Sequence, residues 1–438
     1  MPKTFPEGSF LMRMARAAIL LALFPAVAGS AEGRPGLEIG GSVRSIGAVA
    51  DNYVFPPFFG EGNSLDGAAQ SVLRITVGGR GAEWLAYEIH AVESVNLRTF
   101  GEGGSGFFSP AAAGMRYRAI RDYWEQRSEG DVSMGFWLDR FNTKVSAGKL
   151  DVTVGRQAIT FGKAYFWNPL DVFLAFDPRQ FDREYKPGVD GMRADFALGA
   201  FSGLNLVAVS GRKREETGRY GGSRAVDADW EGSALLGRVF GTVSGWDLAL
   251  QGGHVFGGYH AGFGWAGEIE TVGVRGEAAG FSAESEAEYP SLSGVSARLE
   301  DSVTAVFGLG RRFESSLDLE AEYLYNGGAR TSRLDASAAL VESGDLLQMS
   351  RHLAGLTVLY EFMPLLTGRI TGVYSFSDGS VFVQPGFVYS AGNEAEFLAG
   401  ASINFGKRPW LATDGSVVLG SEFGTYPDYY YAEYKFYF

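Results

Sequence analysis

Short segments with an apolar residue at every second position recur along this chain, and no other sequence feature limits its fold so sharply. Glu396 to Phe405 sets Phe397, Ala399, Ala401, Ile403 and Phe405 on one face, with Glu396, Gly400, Ser402 and Asn404 on the other. Leu317 to Tyr325 opposes Leu317, Leu319, Ala321, Tyr323 and Tyr325 to Asp318, Glu320 and Glu322. Leu73, Ile75 and Val77 alternate with Arg74 and Thr76, and Leu85, Tyr87, Ile89 and Ala91 with Glu88 and His90. A period of two means strands. After the N-terminal segment no run nears the ~20 apolar residues of a membrane-spanning helix. Strands of ~9–11 residues, apolar outside and polar inside, are how a β-barrel crosses a bilayer.

Connections between these segments come in two lengths. Short ones fall at Gly79–Glu83, Gly148-Lys149, Ala200–Gly203, Val243–Gly245, Phe313–Ser316, Met363-Pro364 and Ala391–Glu394. Long ones run through about 50–68, 97–135, 162–189, 212–231, 327–350 and 406–428. Short turns at one rim and long loops at the other are the layout of an outer-membrane barrel. The expected fold is all-β, an antiparallel transmembrane β-barrel with eighteen strands, or sixteen if the weaker segments fail. The expected strands include 266–278 and 280–290, the latter placing Glu284, Glu286 and Glu288 in an acidic lumen row. Pro385 sits awkwardly in the strand 381–390, because proline cannot donate to the ladder. Trp84 and Trp246 each open a strand after a short turn, and Trp265 is expected where a loop re-enters; aromatics favour such interfacial depths.

Composition agrees and also excludes. Aromatic residues make up 14% of the chain and glycines number 62, which suits strands and turns. The absence of cysteine removes disulfides, thiolate nucleophiles, Cys-ligated metals and an N-terminal lipid anchor. No basic patch suggests nucleic acid as a partner, and the net charge is −13. No cofactor is expected. Asp227 and Asp229 in one loop read as ordinary solvated acids rather than a Ca²⁺ site.

The N-terminus reads as an export signal. Lys3, Arg13 and Arg16 precede a short apolar run, Ala17 to Phe24, and Ala26-Val27-Ala28 is an A-x-A cleavage site. Residues 1–31 are the expected cleaved signal peptide, cut after Ala28 or Ala31, and 32–438 form one barrel.

The chain ends Tyr430-Tyr431-Ala432-Glu433-Tyr434-Lys435-Phe436-Tyr437-Phe438, with Tyr430, Ala432, Tyr434, Phe436 and Phe438 outward. A terminal Phe behind alternating aromatics resembles the assembly signal of Gram-negative outer-membrane proteins. As a soluble edge strand it would be an aggregation hazard. The resemblance is to the porin-like superfamily and covers roughly 32–438. It implies an outer-membrane location, periplasmic chaperones and the barrel-insertion machinery as partners, with Tyr434, Phe436 and Phe438 as the signal residues.

The connection after Phe161 carries Tyr165, Phe166, Trp167, Asp171, Phe173, Phe176, Arg179, Asp182, Arg183, Glu184 and Lys186. So many aromatics would be costly on a loop in water. By position the segment 162–189 resembles the porin loop that folds into the lumen, which makes Tyr165, Trp167, Asp171, Arg179, Asp182, Arg183, Glu184 and Lys186 candidate constriction residues. Candidate lumen charges are Arg74, Glu88, Asp318, Glu320, Glu322 and Arg369. Their mixed signs depart from the basic ladder of carboxylate-specific porins. The string Gly155-Arg156-Gln157, Asn168-Pro169-Leu170-Asp171 and Pro187-Gly188-Val189-Asp190 resembles poorly characterised porin-like barrels. A passive channel for small hydrophilic solutes or ions is the expected function. The alternative is a structural or export barrel that sheathes a partner or exports a polymer. An enzyme is a remote third, since the four histidines, His90, His254, His260 and His352, accompany no G-x-S-x-G elbow. A TonB-type importer would need 22 strands and a plug. The sequence leaves the oligomeric state open.

Overall fold

The computed structural model describes residues 36–51, 65–98, 116–120, 124–129, 131–173, 185–212, 228–289, 291 and 296–438. The expected signal peptide lies outside them. Eighteen antiparallel strands form one closed cylinder. In chain order they are β1 (Leu37–Asp51), β2 (Leu65–Ala82), β3 (Leu85–Arg98), β4 (Val132–Ala147), β5 (Leu150–Gln157) and β6 (Val189–Gly199). Then follow β7 (Ser202–Val209), β8 (Ala234–Val243), β9 (Trp246–Val255), β10 (Gly258–Ile269), β11 (Val272–Ala283) and β12 (Ser302–Arg312). The last six are β13 (Leu317–Asn326), β14 (His352–Met363), β15 (Leu366–Ser375), β16 (Val381–Ser390), β17 (Ala395–Phe405) and β18 (Asp428–Tyr437). A further strand, Trp124–Glu129, pairs only with the outer end of β4 and takes no place in the ring.

Each strand pairs with its sequence neighbours, and β1 closes on β18 from Ser42 opposite Tyr437 to Asp51 opposite Asp428. Closure leaves no sheet edge, as a hydrocarbon medium requires. The faces invert the soluble pattern. Ile75, Val154, Leu206, Leu250, Val303, Phe387 and Phe397 are exposed on the outer face, while Asn205, Gln251, Thr357, Thr371 and Ser402 are buried inside. Short turns gather at one rim. Ser244 and Gly245 are both left-handed, with φ 50 and φ 81 degrees, and make the tight hairpin that right-twisted strands favour. At the other rim the connections are long, except at 256–257 and 376–380.

Two strands lie elsewhere than expected. The segments 266–278 and 280–290 are replaced by β10 at Gly258–Ile269 and β11 at Val272–Ala283. Gly257, with a positive φ, turns the chain directly after Phe256, so it re-enters at once instead of through a loop. Tyr259 and Phe263 then point outward, but interspersed glycines blur their alternation. Consequently Glu284 and Glu286 fall beyond the strand, and Glu288 belongs to a two-residue strand paired with Ala297–Arg298. There is no acidic row on β11. Trp265 stands within β10, stacked beside Phe263 at 5.7 Å and over Gly276, not at a loop re-entry. Trp84 lies exposed in the β2–β3 turn, and Trp246 opens β9 over Gly267. Pro385 keeps its place opposite Ile370 of β15, while on the other side the β16–β17 register skips from Val383–Ile403 to Gly386–Gly400, which spares the ladder a donor that proline lacks.

A candidate solute pathway through the barrel

The connection from β5 to β6 enters the lumen. Residues 158–173 run along one sector of the inner wall, with Ile159, Phe161, Phe166, Trp167, Leu170 and Phe173 buried. Wall glycines make room for them: Gly355 of β14 faces the Phe166 ring, and Gly262 and Gly264 of β10 face Leu170. Phe166 and Trp167 share an apolar cluster with Val306, Leu324, Leu353, Val373, Phe382 and Phe423. Ile159, Phe161 and Phe173 join a second cluster with Val207, Leu236 and Val255. A loop in this place must also satisfy its backbone donors. Two wall carboxylates do so. Glu277 of β11 accepts from the N–H groups of Lys163, Ala164 at 3.1 Å and Leu170 at 3.0 Å. Glu322 of β13 accepts from the N–H of Tyr165 and from that of Phe166 at 2.7 Å. Gln251 of β9 donates to the Leu170 carbonyl at 2.8 Å.

The returning leg, 185–188, lies against β2–β4 and is held by charges. The Tyr185 ring packs against the Arg74 guanidinium at 3.2 Å and that of Arg140 at 4.4 Å. Its hydroxyl bonds to His90 Nδ1, and His90 Nε2 lies 2.7 Å from Glu88. Nε2 is thus the ring nitrogen that donates to the Glu88 carboxylate. Burial pushes the Tyr185 phenol up to about 12, against the pull of Arg74 and Arg140. Arg140 pairs with Glu88 at 3.3 Å, while Arg74 and Arg118 share Asp139 at 3.3 and 2.5 Å. Lys186 and Thr160 both bond the Asp171 carboxylate, tying the two legs together.

Residues 116–120 cross the outer mouth above this loop. Tyr117 is buried and its hydroxyl accepts from the Phe256 N–H at 3.1 Å. Arg116 reaches Asp345 at 2.6 Å, and Arg118 donates to the Gly188 carbonyl at 3.0 Å. Around them the connections 327–351 and 406–427 pack on each other through Leu334, Met349, Val417 and Leu419. Glu422 accepts from the N–H groups of Met349 at 3.2 Å and Ser350 at 2.9 Å. A helix α1 (Leu334–Glu342) belongs to this tier.

Of the candidate constriction residues, Tyr165 and Trp167 lie on the inward leg, and Asp171 and Lys186 pair across the two legs. Arg179, Asp182, Arg183 and Glu184 lie outside the described residues, as does Asp227. Of the candidate lumen charges, Arg74 and Glu88 contact the returning leg or its partners. Glu320 and Glu322 both pair with Arg275. Asp318 is at the short-turn end of β13, opposite Arg312. Arg369 is half-buried and donates to Thr371 at 3.2 Å. His260 sits inside β10 and bonds to Gln251 at 3.0 Å. Asp229 accepts from the Glu231 N–H at 2.8 Å and so serves its own turn.

Sequence reading missed Glu277, Arg44, Arg140, Asp139 and the strap at 116–120. Glu277 was hidden by the displaced strand register. Arg156 and Asp190, noticed only as part of a string, form a fully buried pair at 2.6 Å. Arg156 also donates to the carbonyls of Leu138 and Ile120, both at 2.8 Å. The string therefore records how the inward loop is rooted in the barrel.

The chain thus folds as a closed eighteen-stranded antiparallel cylinder with an apolar outer face, a polar interior and a connection folded into the lumen. Among solved structures it is similar to OccAB4 of Acinetobacter baumannii, at a TM-score of 0.55 and 8% identity over 94% of this chain and 100% of that one. It is also similar to OccK9 (OpdG) of Pseudomonas aeruginosa, at 0.52 and 11% over 92% and 98%. OpdK of the same organism, crystallised with vanillate, gives 0.51 and 9% over 92% and 98%. At such identities the likeness is one of fold. No protein-family model matches the sequence, and no curated protein matches it.

Proposed function

We propose that this protein is an outer-membrane channel through which small hydrophilic solutes or ions diffuse passively. One observation carries this reading: the inward leg presses its apolar side chains onto the β7–β16 sector, while the lumen wall keeps partly solvated charges elsewhere. Arg44, Arg74, Arg140 and Lys435 on β1, β2, β4 and β18, and Arg369 towards the short-turn end of β15, are half-buried and interleaved with Glu88, Asp139 and Glu433. Charged rings beside a constricting loop are how porins select solutes. A barrel sheathing a polypeptide would need the space that 158–173, 185–188 and 116–120 take up. An enzymatic reading has little support, because the histidine rings serve packing and structural hydrogen bonds, as in the stack of His254 on Trp230 at 4.3 Å. Residues 1–31 supply export, and the Tyr434, Phe436, Phe438 strand supplies recognition by the insertion machinery.

The refolded protein in a planar bilayer tests the proposal. Stable ohmic steps are expected, with a reversal potential under a salt gradient that reports the balance of lumen charge. Barrels that insert fully and stay silent would overturn it.

A further inference from the structure

We infer that Glu277 and Glu322 are positioning residues that set the aperture of the channel, by clasping the backbone of residues 163–170 against the wall; this rests on the channel reading. Between them the two carboxylates accept from five N–H groups, of Lys163, Ala164, Tyr165, Phe166 and Leu170. Four of those are consecutive, so the chain cannot shift by a residue without orphaning buried donors. Both acids sit on strands whose ladder fixes them. Glu277 lies opposite Val306 and Gly264, and Glu322 opposite Gly308 and Gly355.

The surroundings give the two acids different degrees of freedom. Arg275 is bonded to Glu320 and, at 3.0 Å, to Glu322, so Glu322 is held from both sides. Gly308 allows this, since a Cβ there would come within 2.7 Å of Glu322 Cγ and 3.2 Å of Arg275 Cγ. Glu277 has the three loop donors instead, and the neighbouring tethers Lys163–Asp247 at 2.5 Å and Gln251–Leu170 at 2.8 Å stand on β9. A carboxylate is suited to this task because it offers two acceptor oxygens and no donor. A glutamine keeps one acceptor oxygen and turns an N–H₂ towards the N–H groups of the loop. Side-chain packing of Phe166, Trp167 and Leu170 fixes which way the loop faces, and the two acids fix how far it stands from the opposite wall.

The test compares the full mature chain with Glu277→Gln/Glu322→Gln and, as a control, Glu422→Gln, which removes the same kind of bond from the outer tier. All three are refolded and recorded in planar bilayers with neutral polyethylene glycols of graded size. The double variant is expected to show about twofold higher or strongly flickering conductance and to admit larger polymers, since pore width decides both. Glu422→Gln is expected to keep the wild-type exclusion limit. A conducting wild type with an indistinguishable double variant overturns the inference and leaves the channel reading intact, whereas a silent wild type strikes the channel reading itself. Lower thermal stability with unchanged pore size would assign the acids to fold maintenance and also overturn it. Should the double variant not refold, Ala164→Cys gives a second readout in a chain without cysteine. Its labelling by a membrane-impermeant maleimide should speed up by about tenfold when Glu322→Gln is added, as expected for local opening, and an unchanged rate would count against the clasp.

Discussion

The inward segment 158–173 and the outer tier at 327–351 and 406–427 are both held by buried carboxylates that accept backbone N–H groups, yet the acids stand on different ground. For the inward loop they are Glu277 and Glu322, on strands β11 and β13 of the ring. For the outer tier the acid is Glu422, itself in a connection, holding Met349 and Ser350 of another connection. The outer tier is bonded to the ring as well, through Asn326 of β13 to the Gln348 and Ser350 carbonyls and through Ser350 to Ser375 of β15, but its acid stands in a connection. A frame-anchored loop keeps a fixed distance from the far wall. In the tier the acid and the N–H groups that it accepts from all lie in connections, and Arg116–Asp345 adds a side-chain link across the mouth.

The largest test of that difference is Trp167→Ala. Trp167 is wholly buried between the loop and the wall, and removal of such a ring costs about 3–5 kcal/mol. The expected result is proteolytic cleavage within 158–188 while the folded barrel keeps its gel mobility. Loss of the barrel itself would show that loop and frame are one cooperative unit. Arg156→Ala comes next, leaving Asp190 buried without its cation at about 3–5 kcal/mol; the urea midpoint should fall well below that of wild type. Glu422→Gln should cost less, about 1–3 kcal/mol for loosened N–H groups, with cleavage confined to the outer connections. If both variants lower the midpoint equally, the proposed contrast between frame and tier is gone.

A pH series sharpens the picture for the returning leg. The Tyr185 phenol is raised to about 12, from an ordinary 10 in the unfolded chain, chiefly by burial. The folded state therefore resists its ionisation, and this contribution is complete below pH 10 and lost as pH rises towards 12. Tyr185→Phe should show a shallower fall in urea midpoint over that window than wild type. The smallest effect expected is that of Gly355→Ala. A Cβ there would lie 3.0 Å from the Phe166 ring, so the ring must give by a few tenths of an ångström. A conductance shift at the edge of measurement is the expected outcome.

Much of the frame was legible because its periodicity is physical. Strands such as 396–405 and 317–325 alternate strictly, since one face is the apolar exterior of the cylinder and the other its polar interior. Legibility failed where small residues replaced large ones. In β10 the inward face carries Gly258, Gly262 and Gly264 where other strands carry polar side chains, so little marks it as a lumen face, and the expected register slid. Aromatic density announced that 162–173 leaves water, because Phe166 and Trp167 have no reason to be together on a solvated loop. Nothing local could show that the bonds made by this loop run to acids more than a hundred residues ahead. The buried Arg156–Asp190 pair was likewise unreadable from charge alone, as each residue fits a strand rim equally well as a solvated group.

The pairing of β1 with β18 is unlike every other pairing in the ring. Other neighbours are separated by a single connection, but Gly41 and Phe438, which exchange backbone bonds at 2.8 and 3.0 Å, lie in the first and last segments of the barrel. The entropic cost of joining ends grows only slowly with the length between them, so the seam need be no weaker than a hairpin once formed. It is, however, the contact of highest sequence separation and hence the slowest to reach. Until it forms, β1 and β18 are open edges inviting the wrong partner. The rate of maturation should therefore follow the last strand, and a chain shortened there should accumulate as an unclosed sheet.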